Sequence, residues 1–156
     1  MKFTTLTCAA MLSASAAFAG SVSPAEVVFN EGAVEASLSG AAGNVEAGKE
    51  VYASKKLGNC VACHKIGALP DVPFPGNVGP ELDGVGDRWS VAEIRGILTD
   101  SKQTFEGTVM PAYYKVDGFT RPGKGYTGKA ADDTFAPLLT AQQIEDVVAF
   151  LATLKE

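Results

Sequence analysis

The chain has 156 residues, of which 46% are hydrophobic and 20% charged, and a net charge of −5. That length supports one domain with its own core. The acidic balance and the lack of any basic run argue against nucleic acid as a partner, and beyond the first residues no apolar segment is long enough to span a bilayer.

The first element reads as an export signal. Lys2 gives a short positive start, Phe3 to Phe18 is apolar and small, and Ala17-Phe18-Ala19 forms an A-x-A site before Gly20. A membrane anchor needs roughly 20 apolar residues, and this run is shorter and rich in Ser, Thr and Ala. Leu6-Thr7-Cys8 has the flavour of a lipoprotein site but lies too near the start to follow an apolar region. Cleavage after Ala19 is expected. It removes Met1, Cys8 and Met11, and it shortens the 156-residue chain to 137 residues. Loss of Lys2 takes the net charge of −5 one unit lower.

Residues 20–43 are rich in Ala, Ser, Gly and Val, with Val27-Val28-Phe29 as a local apolar contact. They read as a flexible leader, either a disordered tail or an arm that docks on a partner. The domain proper is expected over residues 44–156. Asn44 is a suitable N-cap for a first helix, and Glu46 favours its dipole. Val45, Gly48, Val51 and Tyr52 share a helical face. Gly58 is expected to stop this helix just before residue 60. Gly48 is costly within a helix, which points to close approach of another helix.

Pro70, Pro73, Pro75, Pro80, Gly76 and Gly79, all between residues 66 and 80, demand an irregular loop. Ser90-Val91-Ala92-Glu93 is a capping box for a short amphipathic helix carrying Val91, Ile94, Ile97 and Leu98. Thr104 to Pro137 reads mostly as loop, longer than a compact domain holds unless a non-protein group organises it. Thr140-Ala141-Gln142-Gln143 is a second capping box. Ile144, Val147, Val148, Leu151 and Leu154 follow as an apolar stripe at helical spacing. No alternating strand pair or hairpin is evident, so the class is all-α with a loop-rich middle.

Cys60-Val61-Ala62-Cys63-His64 carries the chemistry. After residue 19 these are the remaining cysteines, and His64 is the single histidine of the chain. A structural zinc site needs about four ligands, and no second Cys/His pair exists to complete one. A thioredoxin-like redox pair needs a βαβ setting, and these surroundings are helical. A simple disulfide with this spacer would leave His64 unexplained. The C-x-x-C-H run fits covalent attachment of one haem c through Cys60 and Cys63, with His64 as an iron ligand. Met110 is the single methionine after residue 19. A lone methionine is most simply a core residue, but before Pro111 it is also the candidate for the sixth iron position, where a thioether raises the potential. The Pro80 carbonyl is the candidate acceptor that fixes the His64 tautomer. Arg88 is either a partner for a haem propionate or an ordinary surface arginine. Leu82 and Trp89 are expected to line the pocket; Tyr113 and Tyr114 either pack on the haem or, more simply, are structural. No catalytic nucleophile or base is evident.

Gly48 and Tyr52, the C-x-x-C-H run, Gly79-Pro80-Glu81-Leu82, Met110-Pro111 and Asp146 to Leu151 fall in the order of the class I c-type cytochromes, which residues 44–156 resemble. The resemblance implies terminal helices crossing around the haem, with Gly48 and Tyr52 near Val147 and Phe150. Within that group, Asp71 to Pro80, Gly84 to Trp89, Met110 to Arg121 and Gly128-Lys129 leading into Leu139-Thr140 resemble the SoxX cytochromes. Asp132 to Pro137 lengthens the approach to the last helix relative to a compact cytochrome. The narrower resemblance implies a periplasmic heterodimer with SoxA, which oxidatively couples thiosulfate to a cysteine of the SoxYZ carrier. It also implies that the sulfur chemistry lies on SoxA and that this chain relays electrons to a downstream cytochrome. Lys115, Arg121, Lys124 and Lys129 are candidates to steer an acidic acceptor. The alternative is a free, diffusible electron carrier. A haem-based ligand sensor would need an open sixth position.

Overall fold

The computed structural model describes residues 20–67, 69–119 and 134–156. Among the described residues, four helices carry the domain: α1, Val45–Ala53; α2, Val85–Arg88; α3, Val91–Asp100; and α4, Ala141–Leu151. Short 3-10 turns at Cys60–Ala62 and Ser101–Gln103 follow α1 and α3. Among the described residues the only β feature is an isolated bridge between Asn30 and Ala33. The all-α, loop-rich class expected from the sequence is therefore the one observed.

The helix starts follow local chemistry. Asn44 accepts from the Ala47 N–H at 2.9 Å. Ser90 and Glu93 form a reciprocal capping box, as do Thr140 and Gln143. These bonds satisfy N–H groups that a helix start otherwise leaves unpaired.

Helix α1 ends earlier than expected, at Ala53 rather than beside Gly58. Ser54 is extended, and its carbonyl oxygen receives the Leu57 and Asn59 N–H groups at 3.1 and 3.0 Å. This tight turn replaces a further helical turn. Asn59 then takes a left-handed conformation at φ 49°, which asparagine tolerates better than most residues. The chain is thereby reversed into Cys60.

Helices α1 and α4 cross. Gly48 is at the crossing, where an added Cβ would collide with the Asp146 carbonyl oxygen and press on Phe150. Tyr52 and Phe150 meet edge to face with ring centroids 5.8 Å apart. Val147 and Ile144, also on α4, are fully buried. The close approach inferred from Gly48 is thus realised against α4.

Residues 20–43, expected to be a flexible leader, are packed on the domain. Val34 and Leu38 belong to the core, at 2% and 0% exposure. The Val34 N–H donates to the Ala92 carbonyl at 2.9 Å, and the Leu38 N–H to Glu145 Oε1 at 2.7 Å. Burial of two aliphatic side chains, with their backbone groups bonded, offsets the chain entropy that composition alone suggested would dominate.

Candidate functional site

A cavity of about 340 Å³ opens between α1, α3, the 78–82 loop and the 105–113 loop. Cys60, Cys63, His64 and Met110 all line it, although Met110 lies 46 positions after His64 in sequence. Its walls are otherwise largely apolar: Tyr52, Leu82, Val85, Trp89, Ile94 and Leu98 among them. Leu82 and Trp89 are therefore where the sequence placed them. A second, more open depression of about 410 Å³ lies between residues 37–43, α3 and α4, and contains none of the motif residues.

The two cysteines sit on one tight turn. Cys60 begins the 3-10 turn, and both the Cys63 and His64 N–H groups donate to its carbonyl oxygen, at 3.1 and 2.9 Å. The thiols are not joined to one another. Burial pushes the Cys60 thiol up to about 11, partly countered by the Tyr113 hydroxyl, so the unmodified side chain is neutral at pH 7. Burial likewise lifts the Tyr52 and Tyr113 hydroxyls above their usual range, with the nearby Cys60 adding to it. Both stay protonated and act as donors. Tyr52 donates to the His64 carbonyl at 2.8 Å and Tyr113 to the Gly58 carbonyl at 2.9 Å, so the motif is held at each end.

His64 Nδ1 lies 2.8 Å from the Pro80 carbonyl oxygen. A carbonyl only accepts, so Nδ1 carries the proton and Nε2 is the nitrogen left with a free lone pair. The loop is drawn in by the Gly79 N–H, which donates to the Cys63 carbonyl at 2.9 Å. An added Cβ at Gly79 would strike the imidazole itself. Gly76 donates similarly to the Val61 carbonyl at 2.8 Å. The glycines of this loop thus let backbone lie directly against the motif.

Arg88 is the last residue of α2. It does not line the cavity. Its guanidinium donates to the Asp83 and Glu81 carbonyl oxygens at 2.6 and 3.2 Å, with Glu156 at 4.0 Å. It clamps the 81–83 turn. Tyr113 lines the cavity, while Tyr114 turns away and donates to the Val22 carbonyl at 2.7 Å. Lys115 is engaged with Asp100 at 2.7 Å; Arg121, Lys124 and Lys129 lie outside the described residues, as do the signal segment and much of the 111–137 loop.

The site fits a covalently held haem on its own geometry. Two thiols on one turn, an imidazole with a fixed tautomer and a thioether face one apolar space. That donor set suits haem iron.

Comparison with known proteins agrees. The family model for cytochrome c matches residues 45–155. No curated protein matches the sequence. A chain of the crystal structure of SoxXA from P. pantotrophus is 65% identical, with a TM-score of 0.83, and the match covers 87% of this chain and 99% of that one. This chain belongs to the cytochrome c family and, within it, to the SoxX cytochromes.

Proposed function

We propose that the chain is the electron-accepting subunit of a periplasmic thiosulfate-oxidising complex formed with SoxA. It carries one haem c, bound by thioethers to Cys60 and Cys63, with His64 and Met110 as axial ligands. The observation that carries this reading is the convergence of those four side chains on one apolar cavity. The 65% identity to a chain of SoxXA supports the partner.

When bound, the haem supplies one-electron redox chemistry. The residues of this chain tune and hold it. His64 donates its Nδ1 proton to Pro80, which orients the ring and strengthens Nε2 as a donor. The Met110 thioether favours reduced iron and so raises the potential. The apolar walls exclude water, which disfavours the more highly charged oxidised state.

The coupling reaction joins a carrier thiol and thiosulfate in a new sulfur–sulfur bond, releasing one proton and two electrons. A single bound haem would take electrons one at a time, so the pair would have to leave through this subunit singly. Once Cys60 and Cys63 are thioethers, residues 20–156 retain no thiol for the sulfur chemistry. That step therefore belongs to SoxA and the SoxYZ carrier, and a downstream cytochrome takes the electrons.

The test mixes the purified holoprotein with SoxA, SoxYZ and thiosulfate and follows its haem absorption. The expected result is reduction that requires all three and stops when the carrier cysteine is alkylated. Reduction that proceeds without SoxA would favour a free electron carrier instead.

A further inference from the structure

Met110 stands in a loop, where no regular secondary structure fixes its backbone, yet its peptide is held on both sides. The N–H donates to Thr108 Oγ1 at 3.2 Å. The carbonyl oxygen accepts two hydrogen bonds, from Ser101 Oγ at 2.9 Å and from Lys102 Nζ at 2.7 Å. Both donors belong to the 3-10 turn that continues α3.

Ser101 is fully buried. A hydroxyl is costly to bury unless it is bonded, and this one gives its single proton to the candidate ligand's own peptide. The same loop is closed further on. Asp100 pairs with Lys115 at 2.7 Å, and the Tyr113 and Tyr114 N–H groups donate to the Leu98 and Thr99 carbonyls at 3.1 and 3.2 Å. The loop from 101 to 115 is thus stitched to the end of α3, with Met110 in its middle.

We propose that Ser101, assisted by Lys102, is the positioning residue for the sixth iron ligand. The two donors fix the Met110 carbonyl and, through it, the direction in which the thioether enters the cavity. Neither residue lines the cavity. Together they set how readily Met110 swings out and lets an outside ligand take its place. The inference rests on the reading of Met110 as an axial ligand.

The test titrates the oxidised holoprotein with imidazole, which competes with the thioether. Loss of one neutral hydrogen bond to Met110 makes displacement easier, so Ser101→Ala is expected to bind imidazole about fivefold more tightly than wild type. Lys102 is exposed, so Lys102→Met leaves the fold intact and is expected to shift the affinity in the same direction by about threefold. Ser101→Thr keeps the hydroxyl and is expected to stay near wild type.

Thr99→Val is the control. Thr99 is 1% exposed, and its hydroxyl donates to the Arg95 carbonyl at 2.8 Å, one turn from the Met110 loop. Its loss should lower stability without changing imidazole affinity. The proposal is overturned if Ser101→Ala and Lys102→Met keep sulfur ligation and wild-type imidazole affinity, or if Thr99→Val tightens imidazole binding as much as Ser101→Ala. A wild-type protein that lacks the long-wavelength absorption of sulfur bound to ferric iron would overturn the ligand reading itself, and with it the proposal.

Discussion

Arg95 and Glu145 form a two-point ion pair inside the protein, with Nε to Oε1 at 2.9 Å and Nη2 to Oε2 at 3.0 Å. Both side chains are over nine-tenths buried. The pair also reaches the N-terminal segment: Arg95 Nη1 donates to the Val34 carbonyl at 2.8 Å, and Glu145 Oε1 accepts from the Leu38 N–H at 2.7 Å. It therefore joins α3, α4 and residues 34–38 at one buried point. Removing one partner strands the other charge, so Glu145→Ala is expected to lower the unfolding free energy of the holoprotein by about 3–5 kcal/mol, read from guanidinium titration.

Leu38 tests whether the segment before residue 44 belongs to the fold. Its side chain is fully buried, and Leu38→Ala is expected to cost about 2–5 kcal/mol. A change within a few tenths would restore the flexible leader that the composition suggested.

Much of the site was legible because it is local. Cys60, Cys63 and His64 sit together in sequence, and the capping boxes at Ser90 and Thr140 bond groups three residues away. Gly48 announced a helix crossing by being costly where it stands. The packing of Val34 and Leu38 was not legible. Two aliphatic residues in an Ala/Ser/Gly stretch carry no period, and the acceptor for the Leu38 N–H lies 107 positions away. Ser101 gave no signal either, because its role depends on where a loop returns. Arg88 showed a charge but not its partner.

Gly79 separates close packing from mere loop flexibility. A methyl group there would strike the His64 imidazole. Gly79→Ala is therefore expected to destabilise the holoprotein by about 1–3 kcal/mol and to lower the covalent haem content of the purified protein, measured as the pyridine haemochrome. Gly76→Ala would collide with the Ala62 backbone rather than the imidazole, so it should affect stability more than axial ligation.

Asp100 gives the molecule an acid limit. Burial raises its carboxyl, but bonds from Lys115, Gln103 and the Lys102 N–H outweigh burial and hold it below the usual carboxylate range. The unfolded chain therefore takes up the proton first as pH falls. The stabilisation is complete above the ordinary aspartate value and is lost below about pH 4, as pH drops through the folded value. Asp100→Asn should lower stability at pH 7 and flatten its decline in acid, measured by thermal unfolding across pH 2.5 to 7 on the order of half-unit steps.

Met110→Ala should retain the thioether-bound haem, because Cys60, Cys63 and His64 are untouched. The potential should fall by on the order of 0.2 V, within the roughly 0.8 V that axial ligands command. An unchanged potential in a redox titration would exclude Met110 as a ligand.

The central claim is that this chain works as the haem subunit of a two-chain complex. Native purification, with a visible spectrum and an intact mass for each chain, tests it most directly. The expected result is a complex in which this chain begins at Gly20, carries the mass of one covalent haem and co-elutes with a second haem-bearing chain. Recovery of this chain as a lone monomer, or without covalent haem, would contradict it.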